Sequence, residues 1–80
     1  MDELIIRQRL KQIFREIFDD NSIEIADSTT AADIEAWDSL NHINLIVRVE
    51  REFKIRLSTR EVQNLQNVGA LIALIGKKAP

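Results

Sequence analysis

The sequence predicts an all-α fold, a small four-helix bundle of three main helices and one short one, with a long loop between helices 1 and 2. Three observations predict it. Apolar residues recur at helical spacing in three separate stretches. Asp38, Ser58 and Asn67 each stand where a helix needs a capping side chain at its start. The one stretch with strand-like alternation, Phe53 to Leu57, has no evident partner strand.

The first helix is expected from Asp2 to about Phe18. Ile6, Leu10, Ile13, Phe14 and Ile17 form one apolar stripe, with Gln8, Lys11, Gln12 and Arg15 opposite. Asp19-Asp20-Asn21-Ser22 ends it with turn formers. The connection to Trp37 is long for a compact domain, and such loops are often functional. Within it Ser28-Thr29-Thr30 reads as a turn or cap, and Ala31 to Ala36 as a brief helical turn. Ile23, Ile25, Ile34 and Trp37 are the residues that can pin the loop across the bundle.

The second helix is expected from Asp38 to about Glu52. Its apolar arc is wider than one core contact requires. Ile46, Val49 and Phe53 belong to the core, whereas Leu40, Ile43 and Val47 form an exposed docking patch. Phe53-Lys54-Ile55-Arg56-Leu57 is an extended connector that buries its alternate residues. Ser58 and Glu61 have the spacing of a capping box and open the short helix, which runs through about Leu65. Asn67 caps the last helix, with Val68, Leu71, Ile72 and Ile75 as its buried stripe. Gly76 is expected to stop it, Lys77 and Lys78 to follow where the helix dipole favours cations, and the tail to Pro80 to fray.

Composition narrows the functions. Eighty residues are expected to make a single domain, 1–80, near the lower limit for a self-sufficient core. There is no cysteine and one histidine, His42, which leaves no material for a metal site. No apolar run approaches the roughly 18 residues of a membrane span, and no signal-peptide pattern is seen, so a cytoplasmic monomer is expected. Charge is uneven. From Asp19 to Asp38 there are seven acids and no base, and from Ser39 onward seven bases against three acids. That asymmetry speaks to partners. The bases are scattered without aromatic residues among them, which argues against nucleic acid.

The chemistry points to Ser39. Asp38 caps the second helix, so Ser39 falls in its first turn, where unpaired amide N–H groups and the helix dipole favour an anion such as a phosphate ester. Catalysis by Ser39 with His42, three residues on, would also need an orienting acid and an oxyanion hole in a cleft, more than this short chain can build. His42 is expected to be a surface or edge residue, and Trp37 to anchor the loop in the core.

Asp38-Ser39-Leu40, followed by helical apolar spacing, resembles the attachment motif of acyl carrier proteins. The resemblance covers nearly the whole chain, including the long loop before the motif and the closing Phe53-Lys54-Ile55 step. It implies that Ser39 carries 4′-phosphopantetheine, donated by coenzyme A through a phosphopantetheinyl transferase. The arm's thiol would hold an acyl group as a thioester. It implies a non-catalytic carrier whose partners are acyl-loading and acyl-using enzymes, recognised through Trp37, Asp38, Leu40, Ile43 and Val47. The acyl group would shelter between helices, with Ile46, Val49, Ile55 and Leu71 either lining that shelter or forming ordinary core. Two departures stand out. The acidic second helix of housekeeping fatty-acid carriers is replaced by one bearing Asn41, Asn44, Arg48 and Arg51, and their usual Gly-Ala or similar pair by Ala36-Trp37. A dedicated lipid, polyketide or specialised pathway is therefore expected, with an aminoacyl or peptidyl carrier and an unmodified helical adaptor as alternatives.

Overall fold

The computed structural model describes residues 1–79; the expected fraying at Pro80 lies outside them. Helix α1 spans Glu3–Ile17, α2 Ser39–Phe53, α3 Thr59–Gln63 and α4 Val68–Lys78, with a 3-10 turn at Ala31–Asp33. No strand occurs among the described residues. The expected bundle is found.

Helix α1 starts because the Asp2 carboxylate accepts the Leu4 N–H at 3.0 Å. It ends at Phe18, after which Asp19 takes a left-handed conformation (φ 50°), one that Asp adopts more readily than most residues. Its stripe of Ile6, Leu10, Ile13 and Phe14 is buried against α2 and α4. From α2 come Leu45, Val49 and Phe53, and from α4 Val68, Leu71, Ile72 and Ile75. Leu45, only one member of a wide apolar arc in the sequence, is fully buried. Outside the core, Arg48 of α2 reaches Glu16 of α1 at 2.6 Å and Arg9 reaches Glu52 at 3.4 Å.

Two helix ends differ from expectation. Helix α3 stops at Gln63, short of Leu65. Helix α4 runs through Gly76 to Lys78. Gly76 stops nothing because its φ is not positive, so the left-handed conformation that makes glycine a terminator is absent. The last turn is held instead by Lys78, whose ammonium donates to the Arg56 carbonyl and pairs with Glu61, both at 2.9 Å. That pairing, with the N–H of Ser58, holds the Glu61 carboxyl down to about 2. Helix α2 ends at Lys54, also left-handed (φ 57°), and the N–H groups of Lys54 and Ile55 both return to the Glu50 carbonyl. The connector that follows buries Ile55 and half-buries Leu57, whose N–H donates to the Glu50 carboxylate at 2.8 Å.

The long loop is tied down at several points. Arg15 donates to the Ile23 carbonyl at 2.9 Å and to Glu24 at 2.8 Å, and Arg7 pairs with Asp27 at 2.7 Å. The orphan N–H groups at the start of α4 are satisfied by the loop, Val68 donating to the Thr29 carbonyl and Gly69 to the Asp27 carbonyl, both at 2.9 Å. A methyl group on Gly69 would lie 3.0–3.2 Å from Asp27 atoms, tighter than ordinary contact, so the close approach of loop to helix favours glycine here. Ile23, Ile25, Ile34 and Trp37 are half-buried against the core, as their apolar character predicts. Three of the loop's exposed acids thus have internal duties. Glu24 and Asp27 pair with α1, and Asp33 accepts the Thr30 N–H to close the 3-10 turn.

Candidate functional site

Ser39 is the first residue of α2 and is exposed. Its position follows from Asp38, whose backbone is extended and whose carboxylate accepts the Asn41 N–H at 2.8 Å. The Asp38 carbonyl takes the His42 N–H at 2.9 Å. Those two bonds satisfy the third and fourth N–H groups of the helix and leave those of Ser39 and Leu40 without an acceptor among the described residues. The Ser39 hydroxyl has no hydrogen-bond partner among the described residues either. A free hydroxyl, two free amide donors and the positive end of a helix dipole therefore coincide.

Asn41 contributes something the sequence reading missed. Its side-chain amide donates to the Ala36 carbonyl at 2.7 Å and so clamps the end of the long loop onto the first turn of α2. A carboxylate could not make that bond, because it has no proton to donate. Replacement of an acid by Asn41 thus has a local structural reason as well as an electrostatic effect.

Trp37 anchors the loop, as expected, by packing edge-on against Phe14 (centroids 5.2 Å, rings at 90°) and tilted against Phe18 (6.1 Å). Its indole N–H donates to His42 Nδ1 at 3.0 Å, and the two rings stack at 25°. This pairing places His42 against the loop, half-buried, and fixes the neutral imidazole with its proton on Nε2. No sequence signal short of modelling the loop onto α2 would have revealed it. Among the described residues His42 makes no hydrogen bond to Ser39, and no carboxylate orients it, so the pair lacks the parts of a nucleophile and its base.

Ser39 stands at the lip of an open groove lined by Ala31, Trp37, His42, Ile43 and Gln63. A smaller recess adjoins it, sharing Ala31, Trp37 and His42 and closed behind by Leu65 and Leu71. Of the four residues considered for an acyl shelter, Leu71 lines this recess. Ile46, Val49 and Ile55 do not; they are buried, and Val49 and Ile55 belong to the central core. On the outer face of α2, Leu40, Ile43 and Val47 are 68%, 60% and 46% exposed, an unpaired apolar strip running away from Ser39. Asp38 and Trp37 border it at the helix start. No group of three metal-ligating side chains is found among the described residues, and no helix there is long and apolar enough to cross a membrane.

Comparison with known proteins agrees with this arrangement. Residues 8–75 match the family described as "Phosphopantetheine attachment site". The acyl carrier protein of Buchnera aphidicola is 33% identical over 73 residues, which cover 91% of each chain. The solution structure of the holo acyl carrier protein from Geobacter metallireducens superimposes with a TM-score of 0.86 at 50% identity, over 90% of this chain and 83% of that one. An acyl carrier protein from Thermotoga maritima, 23% identical, shares the fold with a TM-score of 0.82 over 98% of this chain and 91% of that one. The chain belongs to the acyl carrier protein family, whose members hold an acyl group on a phosphopantetheine arm and act as carriers rather than enzymes.

Proposed function

We propose that Ser39 is the residue that bears the phosphopantetheine arm, and that the protein carries acyl groups for a dedicated lipid, polyketide or specialised pathway. The observation that carries the first part is the exposed Ser39 hydroxyl at the first position of α2, without a hydrogen-bond partner among the described residues. In the transferase reaction the Ser39 oxygen attacks the phosphorus of coenzyme A that bears the pantetheine. A phosphodiester forms, the pyrophosphate bond breaks, adenosine 3′,5′-bisphosphate leaves, and the serine proton passes to a base on the transferase. The free N–H groups of Ser39 and Leu40 and the dipole of α2 favour the resulting negative charge. When bound, the arm supplies a mobile thiol for the thioester, and tethering raises its effective concentration at any enzyme the domain docks on.

The dedicated pathway is supported by the surface of α2. Leu40, Ile43 and Val47 are exposed, Asn41 and Asn44 stand where acids are usual in housekeeping carriers, and Arg51 has no ion-pair partner among the described residues. Such a face suits partners that offer apolar surface rather than a strongly basic patch. We place the protein as a monomeric, single-domain carrier. Intact mass after incubation with coenzyme A and a promiscuous phosphopantetheinyl transferase tests the attachment. A gain of one phosphopantetheine, abolished by Ser39→Ala, is expected. No gain, or a gain that persists in the variant, overturns the assignment and leaves a helical adaptor.

A further inference from the structure

Three hydrogen bonds close a ring around the serine. The Asp38 N–H donates to the Ala36 carbonyl at 3.0 Å, the Asn41 N–H donates to the Asp38 carboxylate at 2.8 Å, and the Asn41 side-chain amide returns to the Ala36 carbonyl at 2.7 Å. Ser39 lies inside the stretch that this ring spans. Asp38 by itself fixes only the helix side of that stretch, because a cap acts on N–H groups of the first turn. The Asn41 amide adds the bond that ties the loop side to the same turn. Asn44 supports it from the next turn by donating to Asn41 Oδ1 at 3.4 Å, so the oxygen is engaged and the NH2 group is the end turned toward Ala36.

The direction of that last bond matters. An acid at the third helical position usually reaches back to accept the N–H of the cap residue, as Glu61 does from Ser58. At the start of α2 the cap's N–H is already given to Ala36, and the residue at the third position donates instead. An aspartate at position 41 could not do so: an ionised carboxylate has no proton, and it would set a negative charge against the Ala36 carbonyl oxygen. A leucine of similar size could not donate either. The ring therefore depends on an amide. It lies at the surface, with Ala36 and Asp38 exposed and Asn41 half-buried, so the buried core does not call for it.

We propose that Asn41 is a positioning residue for phosphopantetheine transfer: by locking Ala36 to the first turn of α2 it holds the Ser39 oxygen in one place for its attack on phosphorus. The proposal rests on Ser39 being the attachment residue. It goes beyond that reading by naming a residue that acts on Ser39 only through the loop and governs how fast the arm is received. Holding an attacking atom in its reactive geometry carries large weight, since a displacement of about 1 Å can cost roughly a hundredfold in rate.

The test compares Asn41→Leu, Asn41→Asp and Asn41→Gln with the unaltered protein as substrates of a promiscuous phosphopantetheinyl transferase and coenzyme A, reading kcat and KM for the carrier by intact mass. Hydrogen exchange at the amides of Trp37 and Asp38, both hydrogen-bonded at 3.0 Å, reports whether the loop end has come loose. The Leu and Asp variants are expected to lose about tenfold in kcat and to exchange faster at both amides, with the middle of α1 unchanged. Attraction of the new charge in the Asp variant to the transferase should appear in KM and leave the fall in kcat in place. The Gln variant keeps a donor amide and should recover part of the rate. Should leucine unsettle the fold, seen as faster exchange in the middle of α1, the isosteric Asp variant carries the test. An unchanged kcat in the folded variants, or a Gln variant as slow as the Asp one, overturns the proposal while leaving Ser39 as the attachment residue. A mass gain that persists in Ser39→Ala, or that never forms on the unaltered protein, removes the attachment assignment and this proposal together.

Discussion

On one side of α2, Leu45, Val49 and Phe53 meet α1 and α4 across an interior in which Leu10, Phe14 and Ile75 are fully buried. At the start of the same helix, between it, the long loop and α3, the apolar residues are only half-buried. Ile34, Trp37 and Leu65 remain partly accessible, and neither α3 nor the 3-10 turn has a buried residue. The first side is sealed by helix packing. The second is held by discrete polar ties: Asn41 to Ala36, Trp37 to His42, and Val68 and Gly69 to the loop. Stability and access are thus assigned to different stretches along one helix, the core to its middle and end and the open space to its start. With Ser39 as the proposed attachment residue, a carrier would need that separation, because space beside Ser39 must not come from the contacts that keep the bundle folded.

If this division is right, substitutions on the sealed face should be the costliest. Phe14→Ala removes a fully buried ring that also backs Trp37, and should cost about 3–5 kcal/mol in denaturant unfolding. A loss below about 1 kcal/mol would show that the core relaxes around the gap and that the division is weaker than drawn. Next comes Gly69→Ala, which pushes a methyl against the Asp27 backbone and should cost about 1–3 kcal/mol. Its distinctive sign is faster hydrogen exchange at the amides of positions 68 and 69 than in the middle of α1, because the loop detaches before the core opens.

Asp38→Ala removes the cap beneath Ser39 and should cost about 1 kcal/mol. The modification rate of Ser39 should fall further than that loss of folded protein explains, since the first turn frays around the hydroxyl; a rate unchanged in the folded population would count against the cap as a positioning device. The smallest effect concerns the tie between α3 and α4. Glu61 is held at about 2 chiefly by Lys78 and then by Ser58, below its unfolded value, so its contribution is complete above the ordinary carboxylate range. It is lost as pH falls from that range through about 2. Lys78→Ala should return Glu61 part of the way toward ordinary behaviour in an NMR titration. No movement would assign the shift to the Ser58 cap alone.

Much of the sealed face could be read from residue order. The stripes Ile6-Leu10-Ile13-Phe14 and Val68-Leu71-Ile72-Ile75 have helical period, and a helix of that pattern has few other ways to bury its apolar side. The caps at Asp38, Ser58 and Asn67 were legible for a similar reason: each acts within three residues of itself, on the N–H groups of Asn41, Glu61 and Ala70. The stop expected at Gly76 was misplaced because the residue that fixes the helix end, Lys78, acts through Arg56 and Glu61, which are distant in sequence. The ties of the acidic loop were hidden for the same reason, since nothing in its composition says that Arg7 and Arg15 pair with it.

The helices, their caps, the apolar strip on α2 and a serine at that helix's first turn follow from local rules of period and capping, which act over a few residues and need no knowledge of the rest of the chain. The space beside that serine does not. It exists because the loop is pinned to α1 and α4 so that Trp37 stacks on His42 in front of Leu65 and Leu71, and such pairings between remote segments are set only when the whole core closes.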